Sequence, residues 1–137
     1  MDANANKATI RRVREEALSQ GRFDLLDGVY APDYRYHGGE TFGELEGPEA
    51  FKMVAGGFRQ VIEGMCESVV DQIAEGDRVL TRLAGRGRAV GEILGVQGKG
   101  QDLTWTAMVL SRFNEKGQIV EEWVEADALG LVRQLGG

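Results

Sequence analysis

Residues 103–126 of this 137-residue chain read LTWTAMVLSRFNEKGQIVEEWVEA. Two extended runs, Leu103 to Phe113 and Gln118 to Ala126, flank the tetrapeptide NEKG at 114–117. A short polar segment that ends in glycine is typical of a hairpin turn, because glycine readily adopts the positive φ that such turns require. The stretch therefore predicts two long antiparallel strands joined by a tight turn.

The period of two continues upstream of this hairpin. A strand is expected over 78–87 and another over 66–74, with the turn 75–77 between them. A further strand around 88–94 precedes a glycine-rich loop over 95–100. The residues that share one face of the 78–87 strand are Val79, Thr81 and Leu83.

The first half of the chain has a helical period instead. Residues 8–19 predict an amphipathic helix, a second short helix follows over 23–30, and residues 34–37 form a short strand. A third helix begins at Pro48, since proline is favoured at the first helical position, and ends near Gly64. The apolar stripe of the first helix consists of Ile10, Val13, Ala17 and Leu18.

Helices followed by strands indicate an α+β fold in a single domain over 1–137. Glycine makes up 20 of the 137 residues, and several glycines fall within the predicted strands. Glycine inside a strand marks a bulge or a bend, so the sheet is expected to curve strongly. Such an antiparallel sheet, wrapped over the third helix, would form a cone with one open mouth.

Composition excludes several classes of function. The net charge is −6, and the basic cluster Arg11, Arg12 and Arg14 is expected to lie on a solvated helix face, so nucleic acid is not a predicted partner. No apolar run is long enough for a membrane helix, and the N-terminus lacks the apolar core of a secretory signal. One cysteine, Cys66, cannot form a disulfide framework. The predicted location is the cytoplasm.

Five segments carry a family resemblance. They are YAPDY at 30–34 with His37 after it, GPEAF at 47–51, AEGDRVLTRLAGRG at 74–87, GEILGVQGKGQDLTWT at 91–106 and GQIVEEWVEADALGLVRQLG at 117–136. Together they resemble SnoaL-like polyketide cyclases, also called ester cyclases, of the nuclear transport factor 2-like superfamily. The chain departs from the family pattern at 96–98, where Pro-Thr-Gly is common, and at Glu125, where an apolar residue is common.

The resemblance implies an α+β cone of three N-terminal helices on a strongly curved antiparallel sheet. It also implies a cofactor-independent cyclase or isomerase, of the lyase or isomerase class, that closes rings by an aldol-type reaction. The expected substrate is a hydrophobic carbonyl-containing small molecule such as a polyketide. By motif match, Asp127 is the candidate general acid/base. Cones of this family commonly form homodimers, which is the expected assembly.

The last predicted strand carries the densest set of candidate site residues. Trp123, Glu125 and Asp127 are spaced by two, so in a regular strand they share one face, which is expected to be the concave one. There Trp123 would bind substrate beside a carboxyl group whose pKa burial raises. The alternatives are that Asp127 caps a C-terminal helix and that Glu125 is a solvated or paired carboxylate.

Two further candidates are basic. His37 is the chain's one histidine, and its place in the chain resembles the catalytic position of ketosteroid isomerase near the cone mouth. Its alternative is a structural role in a turn, and a single histidine argues against a metal site. Arg82 would steady an enolate if it paired with Asp127 inside the cone, or else it points to water. The remaining predicted substrate contacts are Trp105, Tyr36, Phe58 and Met108.

Three other functions stay open at this point. The superfamily's epoxide hydrolases use an Asp-Arg-Asp set, so epoxide hydrolysis or epoxide-opening cyclisation is one alternative. A non-catalytic cone that binds a small molecule is another. The third is a structural dimer that uses the outer sheet face and has an occluded cavity.

Overall fold

The computed structural model describes residues 2–137. α1 (Ala3–Arg12) begins at Asp2, whose carboxylate caps the helix. A π-helical segment, Val13–Leu18, continues α1 without a break, and a 3-10 helix, Phe23–Leu26, follows. The helix predicted over 8–19 is therefore confirmed, and it extends further toward the N-terminus. Its second half is wound more loosely than an α-helix, which the apolar stripe does not reveal.

The remaining elements form the sheet and the helices that cover it. They are β1 (Tyr30–His37), α2 (Gly39–Phe42), β2 (Glu44–Glu46), α3 (Ala50–Val61), β3 (Ile62–Glu75), β4 (Arg78–Ala89), β5 (Glu92–Ile93), β6 (Val96–Gln97), β7 (Asp102–Phe113), β8 (Ile119–Ala126) and α4 (Ala128–Gln134).

Six strands build one curved sheet in the order β2-β1-β8-β7-β4-β3, and β5 pairs with β6 in a separate small hairpin. The predicted α+β cone is confirmed. One pair differs from the antiparallel expectation, because β1 and β8 run parallel, with Tyr36 beside Glu122. These strands lie far apart in the chain, and the alternation of side chains within a strand carries no information on the direction of its neighbour.

The concave face of the sheet packs against the helices and holds the core. Along β4, Val79, Thr81 and Leu83 are buried, whereas Leu80 and Arg82 are exposed on the convex face. The sequence predicted that Val79, Thr81 and Leu83 share one face, and this grouping is confirmed. Burial of apolar side chains between the two layers is the main stabilising contribution to such a fold.

α4 closes one side of the cone against β7. The Gln134 side chain pairs with the Thr104 backbone in both directions, at 2.9 Å and 2.8 Å, and Leu131 and Leu135 are buried. Among residues 2–137, every helix is too short or too polar to cross a bilayer.

Candidate functional site

A cavity of about 70 Å³ lies between the N-terminal helices, α3 and the concave face of the sheet. Its wall is mostly apolar, and the lining residues with polar side chains are Arg14, Tyr36, Glu67 and Trp105. An apolar wall with a few convergent polar groups is typical of a small-molecule site. The apolar lining residues are Leu18, Phe42, Phe51, Val54, Ala55, Phe58, Ile62, Met65, Ala107, Val124, Ala126 and Leu131.

Arg14 and Glu67 form an ion pair in the wall of this cavity. Arg14 Nη1 donates to Glu67 Oε1 at 3.1 Å, and Trp105 Nε1 donates to Glu67 Oε2 at 3.0 Å. The side chains of Arg14 and Glu67 are only 9% and 5% exposed. Removing a charge from water is unfavourable unless it is paired and hydrogen-bonded, so this arrangement holds both side chains in place.

Ser19 connects the π-helical segment to β3 beside this pair. Its hydroxyl donates to the carbonyl oxygen of Arg14 at 2.7 Å and accepts from the Glu67 amide at 2.8 Å. The backbones that carry the cation and the carboxylate are therefore joined through one side chain. π-Helical turns are rare, and they occur frequently at functional sites.

The Arg14 guanidinium stays charged in its apolar surroundings. Burial works against the charge, but the carboxylates of Glu67 and Glu122 outweigh it and raise the pKa of Arg14 above its usual value. The guanidinium carbon also lies 4.8 Å from the centroid of the Phe51 ring, within the range of a cation–π contact. Arg14 is thus a fixed positive charge in the cavity wall.

Tyr36 adds a neutral hydroxyl to the lining. Burial raises the pKa of Tyr36 to about 12, although the charge of Arg14 opposes this rise. The phenol therefore keeps its proton at neutral pH and is able to donate a hydrogen bond.

A second layer of polar groups lies behind Arg14. Glu122 accepts hydrogen bonds from the Tyr34 hydroxyl, at 2.7 Å, and from the Ser111 hydroxyl. The Tyr30 ring meets the Tyr34 ring edge to face with centroids 4.5 Å apart, and the buried Tyr30 hydroxyl has no hydrogen-bond partner among residues 2–137. The interior thus holds two carboxyl groups and one guanidinium.

The model of the SnoaL-like polyketide cyclases matches residues 8–135, which is nearly the whole chain. The chain belongs to this family. The resemblance found in the five sequence segments is therefore confirmed. A comparison with curated proteins finds no similar sequence.

Solved structures of similar proteins agree with this assignment. TsrD from Streptomyces laurentii is 26% identical over 99% of this chain and 98% of its own, with a TM-score of 0.87. IdmH from Streptomyces antibioticus, a proposed polyketide cyclase, is 29% identical over 96% of this chain and 99% of its own, with a TM-score of 0.82. AclR from Streptomyces galilaeus, a proposed hydroxylase, is 25% identical over 98% of each chain, with a TM-score of 0.81.

The cavity is lined by three of the residues that the sequence predicted as substrate contacts. Trp105 and Tyr36 are among the lining residues with polar side chains, and Phe58 lies on the α3 side of the wall. Their role in binding substrate stays a prediction.

Asp127 is not in the cavity. It is exposed at the start of α4, where Oδ1 accepts a hydrogen bond from the Gly130 amide at 2.9 Å. The expectation that it faces the concave side is therefore wrong, and the capping alternative describes its position. β8 ends at Ala126, so the alternation of the strand no longer sets the direction of the next side chain.

Arg82 does not reach the interior either. It is exposed on the convex face, where its Nε and Nη2 atoms donate to the two carboxylate oxygens of Asp71, both at 3.0 Å. The proposed pairing of Arg82 with Asp127 is therefore wrong. Along β4 the inward positions belong to Thr81 and Leu83, and a residue between them necessarily faces outward.

His37 and Trp123 lie together outside the cavity. Their rings stack with centroids 5.3 Å apart, and His37 contacts Glu121 at 2.7 Å through Nε2 and Glu44 at 3.3 Å through Nδ1. Hydrogen bonding to His37, together with Arg112, lowers the pKa of Glu121 despite the opposing effect of burial. The expected place of Trp123 on the concave face is therefore wrong.

Glu125 and Met108 share the convex face with them. They are register partners on β8 and β7, and both are exposed. The solvated alternative describes Glu125, and the expected contact of Met108 with a substrate in the cone is wrong. Among residues 2–137, no group of three or more His, Cys, Asp or Glu residues is arranged to hold a metal ion.

Sequence reasoning missed Arg14, Glu67 and Glu122. Arg14 was assigned to a solvated helix face, yet it lies four residues after Ile10 and four before Leu18, both on the apolar stripe. Glu67 lies two residues from Met65 on the buried face of β3. In each case a charged residue at an inward position was the available signal, because such residues are rarely buried without a partner or a function.

Proposed function

We propose that this chain is an enzyme that performs acid–base chemistry on a small hydrophobic carbonyl compound, such as a polyketide, in the cavity beside Arg14 and Glu67. The observation that carries the proposal is a buried ion pair that opens on an apolar cavity. A base inside such a cavity reaches an α-proton without competing water, and a fixed cation stabilises the oxyanion that forms.

The reaction needs three groups from the chain. The Glu67 carboxylate takes a proton from the carbon between or beside the substrate carbonyls, and the C–H electron pair moves into an enolate. Arg14, with the Tyr36 hydroxyl, donates hydrogen bonds to the enolate oxygen. The enolate carbon then attacks a second carbonyl of the same molecule, a C–C bond forms, and the new alkoxide recovers the proton from Glu67.

Proton abstraction is testable without the natural substrate. We expect the protein to accelerate exchange of the α-protons of cyclopentanone in D₂O, followed by proton NMR, because this small ketone carries the kind of proton that the base would remove. Glu67→Gln keeps the shape of the side chain and removes the base, so the acceleration should fall by about 10²-fold or more. Glu63→Gln is the matched control, because Glu63 lies on the same strand with its side chain 61% exposed and paired with Arg88.

Other outcomes separate the alternatives. Equal exchange rates for wild type and Glu67→Gln would contradict the proposed base. Ketone binding without any acceleration would indicate a non-catalytic binding cone. Epoxide opening by water would introduce oxygen from H₂¹⁸O into the product, whereas aldol closure introduces none.

We also propose that two copies pair through the convex face of the sheet. Val70, Leu80 and Met108 expose apolar side chains there, with 48%, 37% and 48% of their surface accessible. Apolar side chains exposed together on one sheet face are able to pack against a second copy. Sedimentation should give twice the mass of the chain for wild type and a monomer for Leu80→Glu with Met108→Glu. A wild-type monomer would contradict the proposal. The cytoplasmic location stays a prediction.

A further inference from the structure

A groove lies outside the cavity, and the two share a wall. The groove has a volume of about 320 Å³ and runs between α2, α3 and the β5–β6 hairpin. Phe42, Val54 and Phe58 line both the groove and the inner cavity. The Phe42 and Phe58 rings meet edge to face with centroids 5.6 Å apart. This aromatic pair is therefore the partition between the inner cavity and the groove.

Phe42 lies in the short connection between β1 and β2. α2 is a single turn bounded by Gly38 and Gly43, and the Gly38 amide donates to the Gly43 carbonyl oxygen at 2.7 Å, which closes the segment on itself. Gly43 has a φ of 84°, in the region that glycine enters freely. Hinges consist of a few residues that absorb large changes in φ and ψ, so a rotation here would displace Phe42 and leave the strands intact.

The far side of the groove holds a strained apolar residue. Leu94 has a φ of 50° in the two-residue turn between β5 and β6, next to Gly95 with a φ of 82°. Such turns favour asparagine or glycine at this position, and a leucine there is disfavoured. Leu94 nevertheless lines the groove and also packs against the hydrophobic core, and the Met53 side chain in the same groove is 67% exposed. Strain that keeps an apolar side chain at a binding surface points to a ligand.

The inner cavity is smaller than most small-molecule sites. A volume of 70 Å³ holds roughly five water molecules, whereas small-molecule sites usually measure about 300–1,000 Å³. The groove supplies the missing volume and continues the cavity directly behind the partition. Glu92 at the groove and the net charge of −6 disfavour an anionic ligand there.

We propose that the groove is a second subsite, which holds the uncharged apolar tail of an elongated substrate while the carbonyl end passes Phe42 into the inner cavity. Phe42 and Leu94 are then residues that determine specificity for the length of the substrate. The inference rests on the proposed function only for the claim that the carbonyl end reacts. The tail subsite itself is a claim about binding and does not depend on the reaction.

The test uses 2-pentanone, 2-octanone and 2-undecanone as probes in isothermal titration calorimetry. For wild type, affinity should rise about fourfold for each CH₂ that enters the groove. Leu94→Asn relieves the turn but removes an apolar contact with the core, so circular dichroism first checks that the variant is folded. The folded variant should bind 2-undecanone roughly tenfold more weakly than wild type and 2-pentanone equally. Ile73→Asn is the matched control, since Ile73 is 70% exposed on β3 and should change no affinity.

A second variant tests the partition. Phe42→Ala should accelerate association of 2-undecanone in stopped-flow experiments several-fold more than association of 2-pentanone, since the longer probe needs the wider passage.

Four results would overturn the tail subsite: affinity independent of chain length, equal weakening of all probes by Leu94→Asn, a Phe42→Ala variant with unchanged association rates, or no binding of any 2-alkanone. Failure of the proposed chemistry looks different. In that case Glu67→Gln would leave cyclopentanone exchange unchanged, while the dependence of affinity on chain length would persist.

Discussion

Gly85 and Trp105 face each other directly across β4 and β7, and the Trp105 indole occupies the space that a side chain at position 85 would fill. The indole lies on the bare backbone of β4, and its Nε1 atom reaches Glu67 at 3.0 Å. Gly85 therefore acts on the candidate site without lining the cavity itself, because it leaves room for the Trp105 orientation that binds the carboxylate.

Gly85→Ala should consequently destabilise the protein. A methyl group at this position overlaps the indole, and overpacking a well-packed core typically costs about 1–3 kcal/mol. Urea unfolding gives the free energy, and the fluorescence of Trp105 in a Trp123→Phe background reports whether the indole has moved. Gly57→Ala is the control: Gly57 is exposed in α3 with open space around it, and alanine should raise stability by roughly 0.5–1 kcal/mol. Equal stability of Gly85→Ala and wild type would contradict the packing argument.

The sequence predicted most elements of the fold but not the contact between Gly85 and Trp105. Periodicity predicted the helical first half, the strands of the second half and the grouping of Val79, Thr81 and Leu83 on one face of β4, because each depends on neighbours in the chain. Glycine within the strands predicted a curved sheet, which the structure has, but it did not predict that the Trp105 indole packs on the backbone of Gly85. That contact depends on Trp105, which pairs with Gly85 only after folding.

Predicting the site required knowing which face of β8 points into the cone, and periodicity alone does not show this. On β8, alternation separates Glu122, Val124 and Ala126 from Trp123 and Glu125, but it does not say which set faces inward. A shift of one residue exchanges every side chain between the faces. Trp123 favoured the wrong choice because an aromatic ring beside carboxyl groups resembles a substrate platform. Val124 and Ala126 indicated the correct one, since both line the cavity.

Arg14 and Glu67 should be strongly coupled in stability. Arg14→Met leaves the Glu67 carboxylate buried without its partner, and breaking a buried pair in this way typically costs about 3–5 kcal/mol. Adding Glu67→Gln removes the remaining charge, so the double variant should recover much of that loss. A double-mutant cycle in urea measures the coupling. Arg82→Met is the control, because its pair with Asp71 is exposed and its loss should change stability little. Additive effects of the Arg14 and Glu67 substitutions would contradict the assigned pair.

Asp127 should contribute to stability and not to proton exchange. Asp127→Ala removes the cap of α4 and should cost about 0.5–2 kcal/mol, whereas Asp127→Asn keeps a good capping residue and should unfold like wild type. Both variants should exchange the α-protons of cyclopentanone at the wild-type rate. An Asp127→Asn variant that is as stable as wild type but does not accelerate the exchange would show that Asp127 takes part in the reaction.

The tyrosines predict how stability depends on alkaline pH. The chain has three, Tyr30, Tyr34 and Tyr36, and all are buried on β1. Burial raises the pKa of each above the ordinary value, and that of Tyr36 to about 12. In the unfolded chain they ionise near pH ~10. Below that pH both states keep the phenolic protons, so the contribution of the tyrosines to stability is constant there.

Above pH ~10 the unfolded chain loses protons that the folded chain keeps, so the free energy of unfolding should fall by up to about 1.4 kcal/mol per pH unit for each tyrosine. For Tyr36 this decline spans the interval up to about pH 12, where its folded form ionises as well. Urea unfolding between pH 8 and 11.5 measures the decline. Tyr36→Phe should reduce its slope by the contribution of one tyrosine, up to about 1.4 kcal/mol per pH unit. The rise in absorbance at 295 nm that reports tyrosinate should occur over the same pH range as the unfolding seen by circular dichroism. Tyrosinate that forms near pH 10 in a fully folded protein would mean that these hydroxyls reach water, and the closed apolar interior around Arg14 would then be wrong.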